Sequence, residues 1–176
     1  MELGFLEWIN ENLHGSSVFN WIVRCYTFLG DKVNMWLIIG LILLIFKKYR
    51  KVAITYIITF LLGFVMMEYG LKNIFFRVRP FNESASISAF VNTYFPSTGS
   101  SFGDFLCAAY PPHGSSFPSG HSFTAGFAAT YLFFIDKKKF GIPAIIAAVL
   151  MCLSRIFLCV HYPTDVLASA ILGSSF

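Results

Sequence analysis

His161 and Asp165 stand four residues apart near the end of an apolar chain. On a helix or turn that spacing lets the carboxylate reach one ring nitrogen and fix the tautomer, leaving the other nitrogen free as base or nucleophile. As an isolated pair it is more often structural. A second histidine, His121, follows Pro118, Ser119 and Gly120 in the run FPSGHS. Pro is favoured in the first turn of a helix, and the free amides and dipole of that turn make an anion pocket, although most Pro-Ser-Gly tripeptides are simple turns. Lys72, Arg77, Arg79 and Arg155 sit in or beside apolar segments, where a charge costs roughly 2.5 to 3.5 kcal/mol at mid-membrane. Cations outnumber the carboxylates near them, so the missing counter-charge reads as a bound anion. The competing reading pairs Lys72 with Glu68 four residues earlier and lets the arginines snorkel to headgroups. A zinc site of His121, His161 and Asp165 fares worse, because the cations would repel a metal and no third histidine sits at ligand spacing. His14 and His113 read as bystanders, and Arg77 as a residue that reaches a headgroup.

The elements that must hold these groups are membrane helices. Apolar residues make up 56% of the 176 and charged ones 12%, about half the charged share of a soluble domain. With 21 Phe, 18% aromatic content and a mean hydropathy of +0.67, a water-soluble enzyme is disfavoured. Four or five helices of roughly 20 residues would use most of the chain. The fold class is therefore all-α, a polytopic membrane helix bundle with N-terminal interfacial helices, forming one domain over residues 1–176. The net charge of +4 does not indicate nucleic acid, because the Lys and Arg punctuate apolar stretches instead of gathering on one face.

Residues 3–13 put Leu6, Ile9 and Leu13 on one stripe with Glu7, Asn10 and Glu11 opposite, the pattern of a helix in the interface. Ser17 can cap a second amphipathic segment that ends at Gly30, and Arg24 within it disfavours a lipid-facing span. Expected spans follow at Val33 to Phe46, Val52 to Phe76, Phe117 to Ile135 and Ile142 to Val160. The basic runs at 47–51 and 137–139 then fall on the same side, the cytoplasm by the positive-inside tendency, which puts the cations and histidines at the extracytoplasmic mouth. The chain start lacks the basic lead of a cleavable signal, so the first span is expected to direct insertion. About a dozen residues follow Thr164, roughly 18 Å of helix, too little for a core about 30 Å thick, so the last span reads as trimmed or incomplete.

Phe81 to Ser116 reads as a long extracytoplasmic loop, aromatic and without Lys or Arg, either covering a site or simply mobile. The four cysteines lack metal spacing. Cys152 and Cys159 read as packing residues, and a bridge between Cys25 and Cys107 requires an oxidising compartment.

Three stretches in this order, Lys72 with Arg79 and Pro80, then Pro118-Ser119-Gly120-His121, then Ser154-Arg155 with His161 and Asp165, resemble the signature of the membrane-bound type-2 phosphatidic acid phosphatase superfamily, which includes soluble acid phosphatases and vanadium haloperoxidases. The resemblance implies that the three stretches meet in one cationic cup. In it His161 attacks phosphorus to give a phosphohistidine, Asp165 holds its other nitrogen, and His121 protonates the leaving group and then activates water. Lys72, Arg79, Ser119, Gly120 and Arg155 would cover the phosphate oxygens, with no cofactor or metal. Members usually have six spans, a count that the interfacial start and short end here do not reach. A site at the outer mouth of a lipid-embedded bundle meets lipid phosphates: phosphatidylglycerol phosphate, phosphatidic acid and polyprenyl diphosphate all fit. The alternatives are a lipid phosphotransferase using the same site and a non-enzymatic phospholipid transporter, which would want charges near the midplane and interrupted helices in both halves.

Overall fold

The computed structural model describes residues 1–31, 35–94 and 114–176. Among these residues the regular structure is all helical: α1 (Glu2–Leu13), α2 (Ser17–Asp31), α3 (Met35–Ile45), α4 (Arg50–Ile74), α5 (Pro80–Glu83), α6 (Ala85–Tyr94), α7 (Gly120–Ile135), α8 (Lys137–Phe157) and α9 (Pro163–Ser175). Two of them, α4 and α8, are long and apolar enough to cross a bilayer, matching the expected second and fourth spans. Helices α2 and α3, inclined at 55°, meet that test only as one bent pair, because the 11 residues of α3 reach about 16 Å. Helix α7 is the element that departs from the expected wall of spans. Its residues 121–129 are buried all round, so it forms the axis of the bundle.

Glycine sets how closely α9 approaches that axis. A Cβ on Gly126 would run into the Ala170 carbonyl, and one on Gly173 into the Phe123 carbonyl. With hydrogen in their place the two backbones pack directly, which brings the start of α9 beside the start of α7. The main core gathers Trp36, Tyr56, Phe60, Phe127, Leu132 and Met151 from α3, α4, α7 and α8, and the Tyr56 hydroxyl donates to the Trp36 carbonyl at 2.9 Å.

A smaller core lies at the site end. Leu6 and Ile9 of α1 pack with Ile87 and Val91 of α6 and with Leu158, Val160 and Tyr162. Leu13, expected on the same stripe, is exposed, because the helix stops there. On the polar side of α1, Glu7 accepts from the Ser84 hydroxyl at 2.7 Å, while Glu11 stays exposed. The expected long loop is helical in its first part: Pro80 supplies the fixed φ of a helix start, and Ile87 and Val91, four apart, give α6 a buried stripe. His113 and Cys107, with the Cys25 to Cys107 bridge, lie outside the described residues. Cys159 is buried and Cys152 half-buried.

Candidate active site

Arg79 enters from the extended stretch between α4 and α5. Its side chain is 2% exposed; Nε donates to the Gly114 carbonyl at 3.0 Å, and one terminal nitrogen donates to the Val160 carbonyl at 3.0 Å and faces His161 Nε2 at 3.3 Å. His161 is delivered by the way α8 ends. Cys159 takes a φ of 53°, and the amides of Cys159 and Val160 bond back to the Ile156 and Arg155 carbonyls at 2.9 and 3.3 Å. This is a Schellman stop with cysteine where glycine is usual, and it turns the next side chain inward.

The imidazole of His161 is 3% exposed, with Nδ1 2.6 Å from the Ser116 carbonyl. A carbonyl only accepts, so Nδ1 carries the proton and Nε2 presents its lone pair to Arg79. Burial, reinforced by the charges of Arg79 and Arg155, holds the ring well below the ordinary histidine pKa, so it stays neutral.

Asp165 is where the sequence spacing misled. Its carboxylate does not sit on the ring: one oxygen accepts from Arg77 at 2.5 Å, the other from the Ser116 hydroxyl at 2.6 Å and the Tyr162 amide at 3.2 Å. Pro163 opens α9 and puts Asp165 at the third helical position, where a carboxylate closes the capping box. The fully buried Asp165 therefore reaches His161 only through Ser116, which offers its hydroxyl to one and its carbonyl to the other.

Lys72 is paired with Glu68 at 2.6 Å, as the i−4 alternative had it, just past a π-helical turn at Met66–Leu71. Ser119 occupies the N-cap position of α7 without a side-chain capping bond; its amide donates to Ser169 Oγ of α9 at 2.8 Å, and its hydroxyl lies 3.0 Å from that of Ser122. Beside it, a Cβ on Gly120 would sit 3.1 Å from the Met67 methyl, so the amide end of α7 is approached closely by α4. His121 is backed by α2: its ring hydrogen-bonds the Thr27 backbone, and a Cβ on Gly30 would come within 2.6 Å of its Cδ2. Arg155, 3% exposed, donates to Thr27 Oγ1 at 2.6 Å, and the Ser154 hydroxyl is 3.4 Å from the same oxygen. Arg79 thus meets His161 directly, while Arg155 and His121 share Thr27 as a partner.

Three residues of this neighbourhood, Ser116, Thr27 and Glu2, are not among the candidates that the sequence offers. Ser116 and Thr27 carry no chemistry of their own. The signal for Thr27 was the stripe Asn20, Arg24, Thr27 on one face of α2, all buried, of which only Arg24 drew notice. Arg77 does not go to a headgroup; it bridges Asp165 and Glu2, the latter at 2.7 Å, and stacks over Tyr162 at 4.1 Å. Glu2 also accepts from the Thr164 amide at 3.0 Å, tying α1 to the start of α9. His14 is structural, with ring nitrogens bonded to Asn10 and the Phe157 carbonyl.

Residues 48–176 match the PAP2 superfamily. An undecaprenyl-diphosphatase of Sulfolobus acidocaldarius is 36% identical over 140 residues, 80% of this chain and 59% of that protein. A lipid A 1-phosphatase of Rhizobium johnstonii is 37% identical over 79 residues, 43% of this chain and 31% of that protein. The chain thus spans less than two thirds of either curated relative. Among solved structures, a transmembrane PAP2 type phosphatidylglycerolphosphate phosphatase from Bacillus subtilis superposes with a TM-score of 0.61 at 25% identity, covering 97% of this chain and 80% of that one.

Proposed function

The chain belongs to the PAP2 superfamily, and from that premise we propose that it is an integral membrane lipid phosphatase hydrolysing a phosphomonoester or diphosphate carried by a lipid. The observation that carries this reading is the tautomer of His161: Nδ1–H is spent on the Ser116 carbonyl, and Nε2 faces a buried guanidinium in a cup shared with Arg155 and His121. That nitrogen attacks phosphorus as the bond to the leaving oxygen breaks, and His121, which takes up a proton once the phosphate anion offsets the neighbouring cations, gives that proton to the leaving oxygen. Arg79 and Arg155, with Lys72, Ser119 and the Gly120 amide, take the charge on the equatorial oxygens. Neutral His121 then accepts a proton from water, whose oxygen attacks the phosphohistidine, and phosphate departs from a regenerated His161. Asp165 holds Ser116, and so the ring, in place.

The relatives whose names state a substrate all act on phosphates of lipids, which supports the same class here, and the longest sequence match favours a polyprenyl diphosphate. The basic turns at 47–51 and 137–139 lie at the end of the bundle away from the cup, which supports an extracytoplasmic site. Phosphate release from a panel of lipid phosphates and diphosphates by purified protein in detergent is the test. Release from at least one, abolished in His161→Ala, is expected; release that survives this substitution would remove His161 as nucleophile.

A further inference from the structure

At the opposite end of the molecule from the cup, α4 and α8 both begin and α7 ends. Two turns meet there. Lys47, Lys48, Arg50 and Lys51 lie on one and Lys137, Lys138 and Lys139 on the other, and the rings of Tyr49 and Phe140 join them edge to face at 5.4 Å. Lys48 Nζ stands 5.2 Å from the centre of the Tyr49 ring, and Lys139 Nζ 5.9 Å from the same ring. The carboxylate in this cluster, Asp136, is committed to capping, accepting from the amides of Lys138 and Lys139 at 3.2 and 2.9 Å. Its charge is thereby held at the helix start.

Directly beside these ammonium groups is a groove of about 200 Å³ whose wall is Ile39, Ile42 and Phe46, closed by Tyr49, Phe140 and Lys139. Ile42 and Phe46 are about half exposed, at 49% and 54%. Cations at the rim of an apolar channel form a composite surface that matches a molecule with an anionic head and a hydrocarbon tail. A free phosphate would leave the aliphatic wall bare, and a second copy would set seven cations against seven.

We infer that this rim binds one anionic phospholipid, its phosphodiester between Lys48 and Lys139 across Tyr49 and one acyl chain along Ile39, Ile42 and Phe46. The inference does not depend on the catalytic reading, because it uses no residue of the cup. The test is thermal denaturation of the purified full chain in non-ionic detergent, titrated with dioleoylphosphatidylglycerol, dioleoylphosphatidylcholine or inorganic phosphate. Phosphatidylglycerol should raise Tm saturably, and the other two should not. In Lys48→Gln/Lys139→Gln the half-saturating concentration should rise tenfold or more. In Lys47→Gln/Lys51→Gln, which removes the same charge at residues that are not among those lining the groove, it should stay within about twofold. Native mass spectrometry of the wild type should retain a single phosphatidylglycerol, a readout that stands even where a double variant folds poorly. Equal weakening in the two double variants would reduce the effect to diffuse charge, and a matching response to phosphatidylcholine or phosphate would remove the lipid site. Loss of the effect in His161→Ala would move the lipid to the cup and overturn the assignment as well.

Discussion

Ser116 decides how much the cup depends on Asp165. Where a carboxylate binds the imidazole directly, its amide variant reverses the tautomer and costs roughly 10⁴ in rate. Here a backbone carbonyl receives the Nδ1 proton, and no side-chain change removes it. Asp165→Asn is therefore expected to lower kcat by about 10², while the inhibition constant of vanadate, which reports the anion site, moves less than threefold; a 10⁴ loss would mean that the carboxylate acts on the ring itself. Thr27 is a positioning residue of the same kind for the other half of the cup, since its hydroxyl takes Arg155 and its carbonyl side backs His121. Thr27→Val keeps the shape and loses the acceptor, so kcat should fall about tenfold or more, with Thr27→Ser restoring most of it. A purely steric role would make Val the milder change. Because burial and the neighbouring guanidiniums lower the pKa of His161, its neutral, nucleophilic form persists as pH falls below the ordinary histidine value. The acid limb of kcat/KM, which reports the free enzyme, should accordingly lie below pH 6.5, and an inflection above that value would contradict the assigned environment.

At the scale of elements, backbone contacts carry the geometry, and they explain which parts were legible in the sequence. The helices, the basic turns and the residues bearing imidazole, guanidinium or carboxylate were readable because composition and periodicity report them. Ser116, Thr27 and the stop at Cys159 were not, because each acts through a carbonyl, a hydroxyl or a φ angle that many residue types can supply. The four-residue spacing of His161 and Asp165 suggests one shared turn, but α9 begins only at Pro163, which leaves His161 outside the helix and turns the carboxylate to that helix start. The α7 to α9 contact follows the same logic: Gly126 and Gly173 matter for what they lack. Gly173→Ala places a methyl against the Phe123 backbone, and overpacking of this kind costs about 1 to 3 kcal/mol. Since α7 carries His121 and the turn into α9 carries His161, separation of the helices should reduce kcat as well as Tm. Gly4→Ala in α1, where no atom lies within 4 Å, is the control; it should be neutral or stabilising by up to about 1 kcal/mol from helix propensity. Equal effects at the two glycines would refute the close-packing account.

For the molecule as a whole, charge is divided between two ends: exposed lysines at the turns, and buried Arg79 and Arg155 with Lys72 at the cup. Converging buried cations raise the cost of the empty fold, because each is removed from water beside others of its sign. An oxyanion that enters only the folded cup should then stabilise the entire bundle by mass action, by about 2.7 kcal/mol at a hundred times its Kd. For a chain of 176 residues that corresponds to a rise in Tm of roughly 5 to 10 °C. Thermal denaturation with vanadate, against chloride at the same ionic strength, should show this rise in the wild type. It should persist in Asp165→Asn, because the carboxylate lost there is committed to Arg77, Ser116 and the Tyr162 amide, and shrink to less than half in Arg155→Gln. A rise of the same size in Arg155→Gln would place the anion elsewhere, and none in the wild type would mean that the three stretches meet without forming an anion site.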